Sequence, residues 1–244
     1  MKNLEKKLIG WIQKKVKEAG AKGVIFGLSG GIDSAVVAVL AKKAMGNEHL
    51  ALLLPCHSAG HALDDAQLMV GKFKLKSKVV DLTSSYDSLS RIFPKGNKLA
   101  LANLKPRLRM LTLYFFANNL NYIVLGTGNK SELLVGYFTK YGDGGVDILP
   151  IADMFKRDVR NLAASLGVPD KIITKPPTAD LWSGQTDEGE MGLTYNELDC
   201  ILSCMEQGEK CKVPGVKINK VKKMIAASEH KRSLPEVFKV ASLK

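Results

Sequence analysis

Apolar positions along the chain fall into two rhythms. Residues 3–19 put Leu4, Leu8, Trp11 and Ile12 on one helical face and most of Lys6, Lys7, Lys14 and Lys15 off it, which predicts an amphipathic helix. Short unbroken apolar runs follow: Val24-Ile25-Phe26, Leu50 to Leu54 closed by Pro55, and Tyr122 to Leu125, with another strand predicted at the mixed segment Ser77 to Leu82. Runs that are continuous rather than alternating mark strands buried on both faces. Between them lie helical stretches: Ala35 to Ala41 continuing to a Gly46-Asn47 stop, Asp64 to Phe73, and residues 97–119, where Leu104, Leu108, Leu111 and Phe115 recur at spacings of 4, 3 and 4. Pro106 lies inside the last stretch, so the helix proper is predicted to begin there. Later helices are predicted at Phe155 to Leu166, Tyr195 to Met205 and Ile218 to Ala227, while residues 174–194, with Pro176 and Pro177, read as a long lid-like loop. Strand and helix alternate, which predicts an α/β fold with a parallel sheet covered on both faces.

Composition changes this picture little. A chain of 244 residues with 45% hydrophobic and 25% charged positions has room for one domain with a sizeable core. No apolar run approaches the roughly 20 residues that span a bilayer, and no apolar signal core follows the N-terminal lysines, so a cytoplasmic location is expected. Four cysteines are too few for a disulfide scaffold. Cys200 and Cys204 stand four apart on a predicted helix with Cys211 beyond, and with no histidine nearby a zinc site would have to recruit Cys56; plain thiols are the expectation.

Charge matters more. The net charge of +12 is concentrated at the ends, with seven lysines against two glutamates in residues 1–22 and ten basic residues against two acids in residues 210–244. Residues 179–209 hold eight acids and no base. Aromatic residues are not interleaved with the basic blocks as a base-stacking surface requires, so nucleic acid takes second place to a polyphosphate ligand.

The most informative stretch is Gly27-Leu28-Ser29-Gly30-Gly31-Ile32-Asp33-Ser34, placed between an apolar strand and an Ala-rich helix. Adjacent glycines allow a sharp bend with no side chain between backbone and ligand. The following helix aims free N–H groups and the positive end of its dipole at the bend, which suits a phosphate. Ser29 and Ser34 add hydroxyls, and Asp33 adds a carboxylate through which a metal bridges to phosphate oxygens. An ordinary capped turn is the plain alternative. The spacing is neither that of a Walker loop nor that of a dinucleotide fingerprint.

A second strand–turn–helix, from Asn121 through Gly126-Thr127-Gly128 to Glu132, has the geometry to bring Thr127 and Glu132 to the same sheet edge as Asp33. Two carboxylates with phosphates between them form an oxygen-only set suited to Mg²⁺. Arg107 and Arg109 fall in the first turn of their helix, against the dipole, where an anion or salt-bridge partners would meet them. The Tyr- and Gly-rich segment 136–147, bracketed by Lys140 and Asp147, reads as a binding loop. Glu229-His230-Lys231-Arg232 reads either as a charge complement to a helix end or as an anion clamp. Cys56-His57 is not expected to act as a nucleophilic pair, since neighbours in an extended segment point apart.

Ser-Gly-Gly-Ile-Asp-Ser matches the pyrophosphate loop of the N-type ATP pyrophosphatases, which cleave ATP between its α and β phosphates. Phe138-Thr139-Lys140-Tyr141-Gly142-Asp143-Gly144-Gly145, Pro177-Thr178-Ala179-Asp180-Leu181 and Glu229-His230-Lys231-Arg232 follow it in order, and over essentially its whole length the chain resembles the ammonia-dependent NAD synthetase family. That resemblance implies a three-layer α/β/α fold of the adenine-nucleotide α-hydrolase type with a five-stranded parallel sheet, in a single domain over residues 1–244, and a homodimer. It implies adenylation of deamido-NAD by ATP as co-substrate, then displacement of AMP by ammonia. Gly27, Leu28, Ser29, Gly30, Gly31, Ile32, Asp33 and Ser34 would bind ATP with Thr127, Lys156 and Thr178, and Asp33 and Glu132 would hold Mg²⁺. Arg107, Lys140, Asp147, His230 and Lys231 would hold deamido-NAD. Asp33 and Lys156 would be catalytic, with Asp180 in the lid as the group that orients ammonia or deprotonates ammonium. The glutamine-using relatives carry a separate amidase domain for which this chain has no room, so free ammonia is expected as nitrogen source. Two other classes share the loop or its fold: tRNA-modifying thiolases and lysidine-type synthetases, which need a tRNA-binding appendage, and non-catalytic nucleotide sensors.

Overall fold

The computed structural model describes residues 1–58, 60–182 and 184–238. Helix α1 (Lys2–Glu18), strand β1 (Gly23–Gly27), α2 (Ile32–Met45), β2 (His49–Leu53), α3 (Gly60–Phe73) and β3 (Ser77–Val79) alternate through the first third. Three helices, α4 (Thr83–Ile92), α5 (Lys98–Ala102) and α6 (Leu104–Leu120), lead to β4 (Tyr122–Val124) and α7 (Lys130–Val135). The remainder comprises α8 (Lys156–Ser165), α9 (Asp170–Ile173), α10 (Asp187–Met191), α11 (Tyr195–Gln207), α12 (Gly215–Ala227) and α13 (Glu229–Arg232).

All strand pairs are parallel, in the order β3-β2-β1-β4. Strand side chains divide by parity, as the two-residue repeat requires. Val24, Phe26, Ala51 and Leu53 enter a core shared with Ile12 and Val16 of α1, all the apolar positions of α2 from Val36 to Ala41, and Val159 and Leu162 of α8. Ile25, Leu50 and Leu52 face the other way, against Leu113 and Ala117 of α6. The unbroken apolar runs of β1 and β2 therefore have their predicted cause, cover on both sheet faces, whereas edge strand β3 is exposed. A third cluster joins Val135 of α7, Tyr195 and Leu198 of α11 and Val221 of α12. No helix among the described residues is long and apolar enough to cross a membrane.

Three expectations need correction. The sheet has four strands among the described residues, not five. At its β4 edge a single parallel bridge, Leu125 to Ile148, stands alone. There the Val124 N–H is taken by the Asp147 carboxylate (2.7 Å), whose other oxygen accepts from the Tyr114 hydroxyl (2.9 Å), so a side chain occupies the donor that a strand would pair. Secondly, α6 begins at Leu104, ahead of Pro106, which still lies in the first turn where its missing N–H is not needed. Residues 98–102 form a separate helix whose cap, Asn97, accepts from the Ala100 N–H. Leu111 and Phe115 are each 63% exposed, while Leu113 and Ala117 face the sheet. Thirdly, the 174–194 segment is braced: Thr178 Oγ1 donates to the Gln185 carbonyl, the Leu181 N–H donates to Gln185 Oε1, and α10 forms within the segment.

Candidate active site

A cavity of about 540 Å³ opens over the C-terminal ends of β1, β2 and β4. β1 is the first strand and has β2 on one side and β4 on the other, so the strand order reverses there, and ligands in open α/β sheets lie at such a point. Leu52, Leu54, Leu63, Ala66, Leu113 and Leu125 supply an apolar wall.

The bend at the end of β1 is held by its own serines. Buried Ser34 accepts from the Ser29 N–H, lies 3.0 Å from Ser29 Oγ and donates to the Gly31 carbonyl. The Gly31 N–H in turn donates to Ser29 Oγ. Gly30 adopts φ +80°, and a Cβ there would lie 2.4 Å from the Ala62 carbonyl. Only glycine meets both conditions, so the bend stays free of side chains on that side.

Three elements converge beside it. Asp33 lies in the first turn of α2, Glu132 in the first turn of α7, and Lys156 opens α8. Lys156, 1% exposed, places Nζ 2.5 Å from Asp33 Oδ2 and 2.9 Å from Glu132 Oε1. Burial alone would pull this ammonium down, but the Asp33 and Glu132 carboxylates outweigh it and hold the lysine charged above its ordinary range. Glu132 is pushed up, first by burial and then by the Asp33 charge, against the pull of Lys156. Two carboxylates thus face one cationic point. That is an oxygen-only donor set already arranged around a positive charge, and it fits a hard divalent cation completed by phosphate oxygens.

Sequence reading missed the residues that fix this triad. Asn129 caps α7 in a reciprocal capping box with Glu132 and donates from Nδ2 to Asp33 Oδ1 (2.9 Å). Asn-x-x-Glu before a helix is a legible capping signal, although its link to Asp33 is not. Ser131 Oγ accepts from the Lys156 N–H and donates to buried Asp199, which also accepts from the Arg157 N–H. Tyr195 spans Glu132 and Asp187 with its hydroxyl, while Tyr137 does the same for Asp187 and Glu190. Burial pushes Asp187 up, Lys156 notwithstanding.

The opposite wall is cationic. Arg107 is exposed and lines the cavity, whereas Arg109 turns back to the Leu54 carbonyl and Ser58 Oγ. Lys105 donates to the Leu181 carbonyl and ties α6 to the lid. Asp180 lines the cavity with φ +50°, and its charge offsets part of the burial that lowers Lys105 and Arg109. Thr127 and Thr178 also line it. In the 136–147 segment, Lys140 donates to the His230 carbonyl. Gly136 has φ +66°, and a Cβ on it would fall on Ser228, so this glycine lets α13 close in. Both readings of the basic tail cluster meet here. Lys231 donates to the Gly136 and Phe138 carbonyls, Arg232 donates to carbonyls of α7 and α12, and His230 is exposed at the cavity. Asp147 is not brought to the cavity; its carboxylate is committed to Val124 and Tyr114.

A parallel sheet with a bare bend, a lysine between two carboxylates and a cationic far wall defines an α/β protein with a site suited to phosphate at its strand-order switch point. Residues 4–235 match the model of the family described as NAD synthase. An NH(3)-dependent NAD(+) synthetase of Carboxydothermus hydrogenoformans is 50% identical over 236 residues, 95% of each chain. Among solved structures, an NMN synthetase from Francisella tularensis superposes with a TM-score of 0.89 at 36% identity over 97% of both chains. An NH3-dependent NAD synthetase from Campylobacter jejuni does so with a TM-score of 0.86 at 31% identity over 98% of both. The chain belongs to the NAD synthase family.

Proposed function

We propose that the chain amidates deamido-NAD with ammonia at the expense of ATP, giving NAD, AMP and pyrophosphate. The observation that carries this reading is the Asp33–Lys156–Glu132 triad set against the bare bend. A carboxylate resists ammonia because it is already anionic. Attack of its oxygen on the α-phosphorus of ATP breaks the bond to the β-phosphate, and pyrophosphate departs. Ammonia then forms the C–N bond, the C–O bond to AMP breaks, and the nitrogen loses a proton.

In this scheme the backbone of Gly27 to Gly31 and the N-terminus of α2 seat the polyphosphate, with Ile32, Ser34, Thr127 and Thr178 around the nucleotide. Asp33 and Glu132 would hold Mg²⁺, which supplies neutralisation of charge on the leaving pyrophosphate. Lys156 adds a fixed positive charge at the same point. Arg107, Lys140, His230 and Lys231 form the dinucleotide wall; Asp147 is left out of that set because its carboxylate is engaged elsewhere. Asp180, at the lid, orients ammonia or takes the proton from ammonium. The chain works as one synthetase domain with free ammonia as nitrogen source. Exposed Leu111 and Phe115, four residues apart on α6, support a homodimer that covers them. A count of four cysteines, too low for a disulfide scaffold in a chain of 244 residues, supports a cytoplasmic setting.

The mononucleotide acid is the second reading, since the Francisella chain that superposes so well is an NMN synthetase. Turnover with ATP, ammonium and Mg²⁺ is compared for deamido-NAD and nicotinate mononucleotide. A higher kcat/KM for the dinucleotide is the expected result; preference for the mononucleotide would replace the first reading with the second.

A further inference from the structure

Outside the lining of the cavity, α11 carries Cys200 and Cys204 one turn apart. The helix ends at Gly208, which takes φ +69°, and the Glu209 N–H closes back on the Cys204 carbonyl. That reversal returns the chain along the last turns of α11 and lays Cys211 beside the other two. The three sulfurs all lie within 4.8 Å of one another, and each side chain is partly solvent-accessible. Cys200 and Cys211 stand 3.8 Å apart, sulfur to sulfur. Two thiolates bound at about 2.3 Å to one tetrahedral zinc are themselves about 3.8 Å apart. The spacing in sequence argued against a metal because a fourth ligand had to come from Cys56, yet three sulfurs converge without it.

We infer that Cys200, Cys204 and Cys211 form a thiolate site for one thiophilic divalent cation of the zinc type. Three soft donors and no histidine or carboxylate in the cluster select zinc or cadmium over magnesium or calcium. One tetrahedral position remains for solvent. Cys211 sits in the sequence between Lys210 and Lys212. A disulfide would use two of the three sulfurs and leave the third idle. The bound ion would staple the loop after α11 to that helix, whose first residue, Tyr195, touches Glu132 and Asp187. Stability of the α11–α12 corner is the property it would govern.

Cadmium is the direct probe, because each Cd–thiolate bond adds to an ultraviolet charge-transfer band. Reduced, metal-free full-length protein is titrated with Cd²⁺ and then with competing Zn²⁺. One Cd²⁺ per chain, displaced by zinc, is expected. Cys200→Ser, Cys204→Ser and Cys211→Ser should each remove about a third of the band and weaken binding at least about tenfold. Cys56→Ser should change neither. Zinc should raise the unfolding midpoint of the unsubstituted chain and not that of the triple serine variant, whose metal-free midpoint reports its fold. A band insensitive to the three serine substitutions, no stoichiometric band, or a Cys200–Cys211 disulfide with no metal uptake after reduction would overturn the assignment.

Discussion

At Gly30 two independent constraints meet: a left-handed backbone, and a carbonyl 2.4 Å from where any Cβ would stand. Gly30→Ala should lose at least about 1–2 kcal/mol from the backbone conformation alone, visible as a lower denaturation midpoint, and raise KM for ATP as the bend shifts. Asp33→Asn keeps the volume but removes the charge nearest to Lys156. Its kcat should fall by about 10²–10³-fold with the fold intact by circular dichroism; full activity would remove Asp33 from the mechanism. Both residues are legible in the sequence, because two glycines and an Asp-Ser between an apolar run and an Ala-rich helix leave few other structures open. Asp147 is the contrary case. Its carboxylate replaces a strand's hydrogen-bond partner at the β4 edge, a role that neither its flanking glycines nor its charge reveals.

Between elements, the decisive contacts come from residues far apart in the chain. Asp199, on α11, holds the first turn of α8 through the Arg157 N–H and the first turn of α7 through Ser131, and so fixes where Lys156 stands. Asp199→Asn removes the charge that receives both bonds, and with its Oδ1 on the Arg157 N–H its Nδ2 faces Ser131 Oγ, so the serine hydroxyl loses its acceptor. A loss of about 1.5–3 kcal/mol is expected, together with a fall in kcat larger than any change in KM for ATP; an unchanged kcat would make Asp199 purely structural. At the outer edge, buried His49 accepts the Lys76 N–H at Nε2, so Nδ1 donates to the Gly46 carbonyl and the ring is neutral. Burial holds its pKa below the ordinary 6.5. The unfolded chain therefore gains a proton that the folded chain refuses, and the stability present above about pH 6.5 is lost as pH falls below it. Thermal unfolding between about pH 5 and 7.5 should show that slope, and His49→Gln should flatten it. The α6 stripe shows why helices were easier to place than to orient: a helix apolar on two sides has periodicity enough for either, and only the sheet decides that Leu113 faces in and Leu111 out.

Across the whole molecule, parallel strands bring their C-terminal ends to one side, so bends that lie about a hundred residues apart in the chain share a single cavity. Alternating strands and helices make that architecture legible in the sequence. Harder to read are the number of strands, at an edge where the Asp147 carboxylate takes the Val124 N–H and only one bridge forms, and the bracing of the lid by Gln185 and Lys105. The cavity's division into an acidic, lysine-centred end and a cationic end suits the two substrates proposed, one that loses a pyrophosphate and one that keeps its diphosphate. The central claim is that the bend and the Asp33–Lys156–Glu132 triad grip the departing diphosphate of ATP. Phosphorus NMR of the protein turning over ATP, deamido-NAD and ammonium with Mg²⁺ tests it most directly. Pyrophosphate and AMP rising together, mole for mole with NAD, is the expected spectrum; ADP and orthophosphate in their place would contradict it.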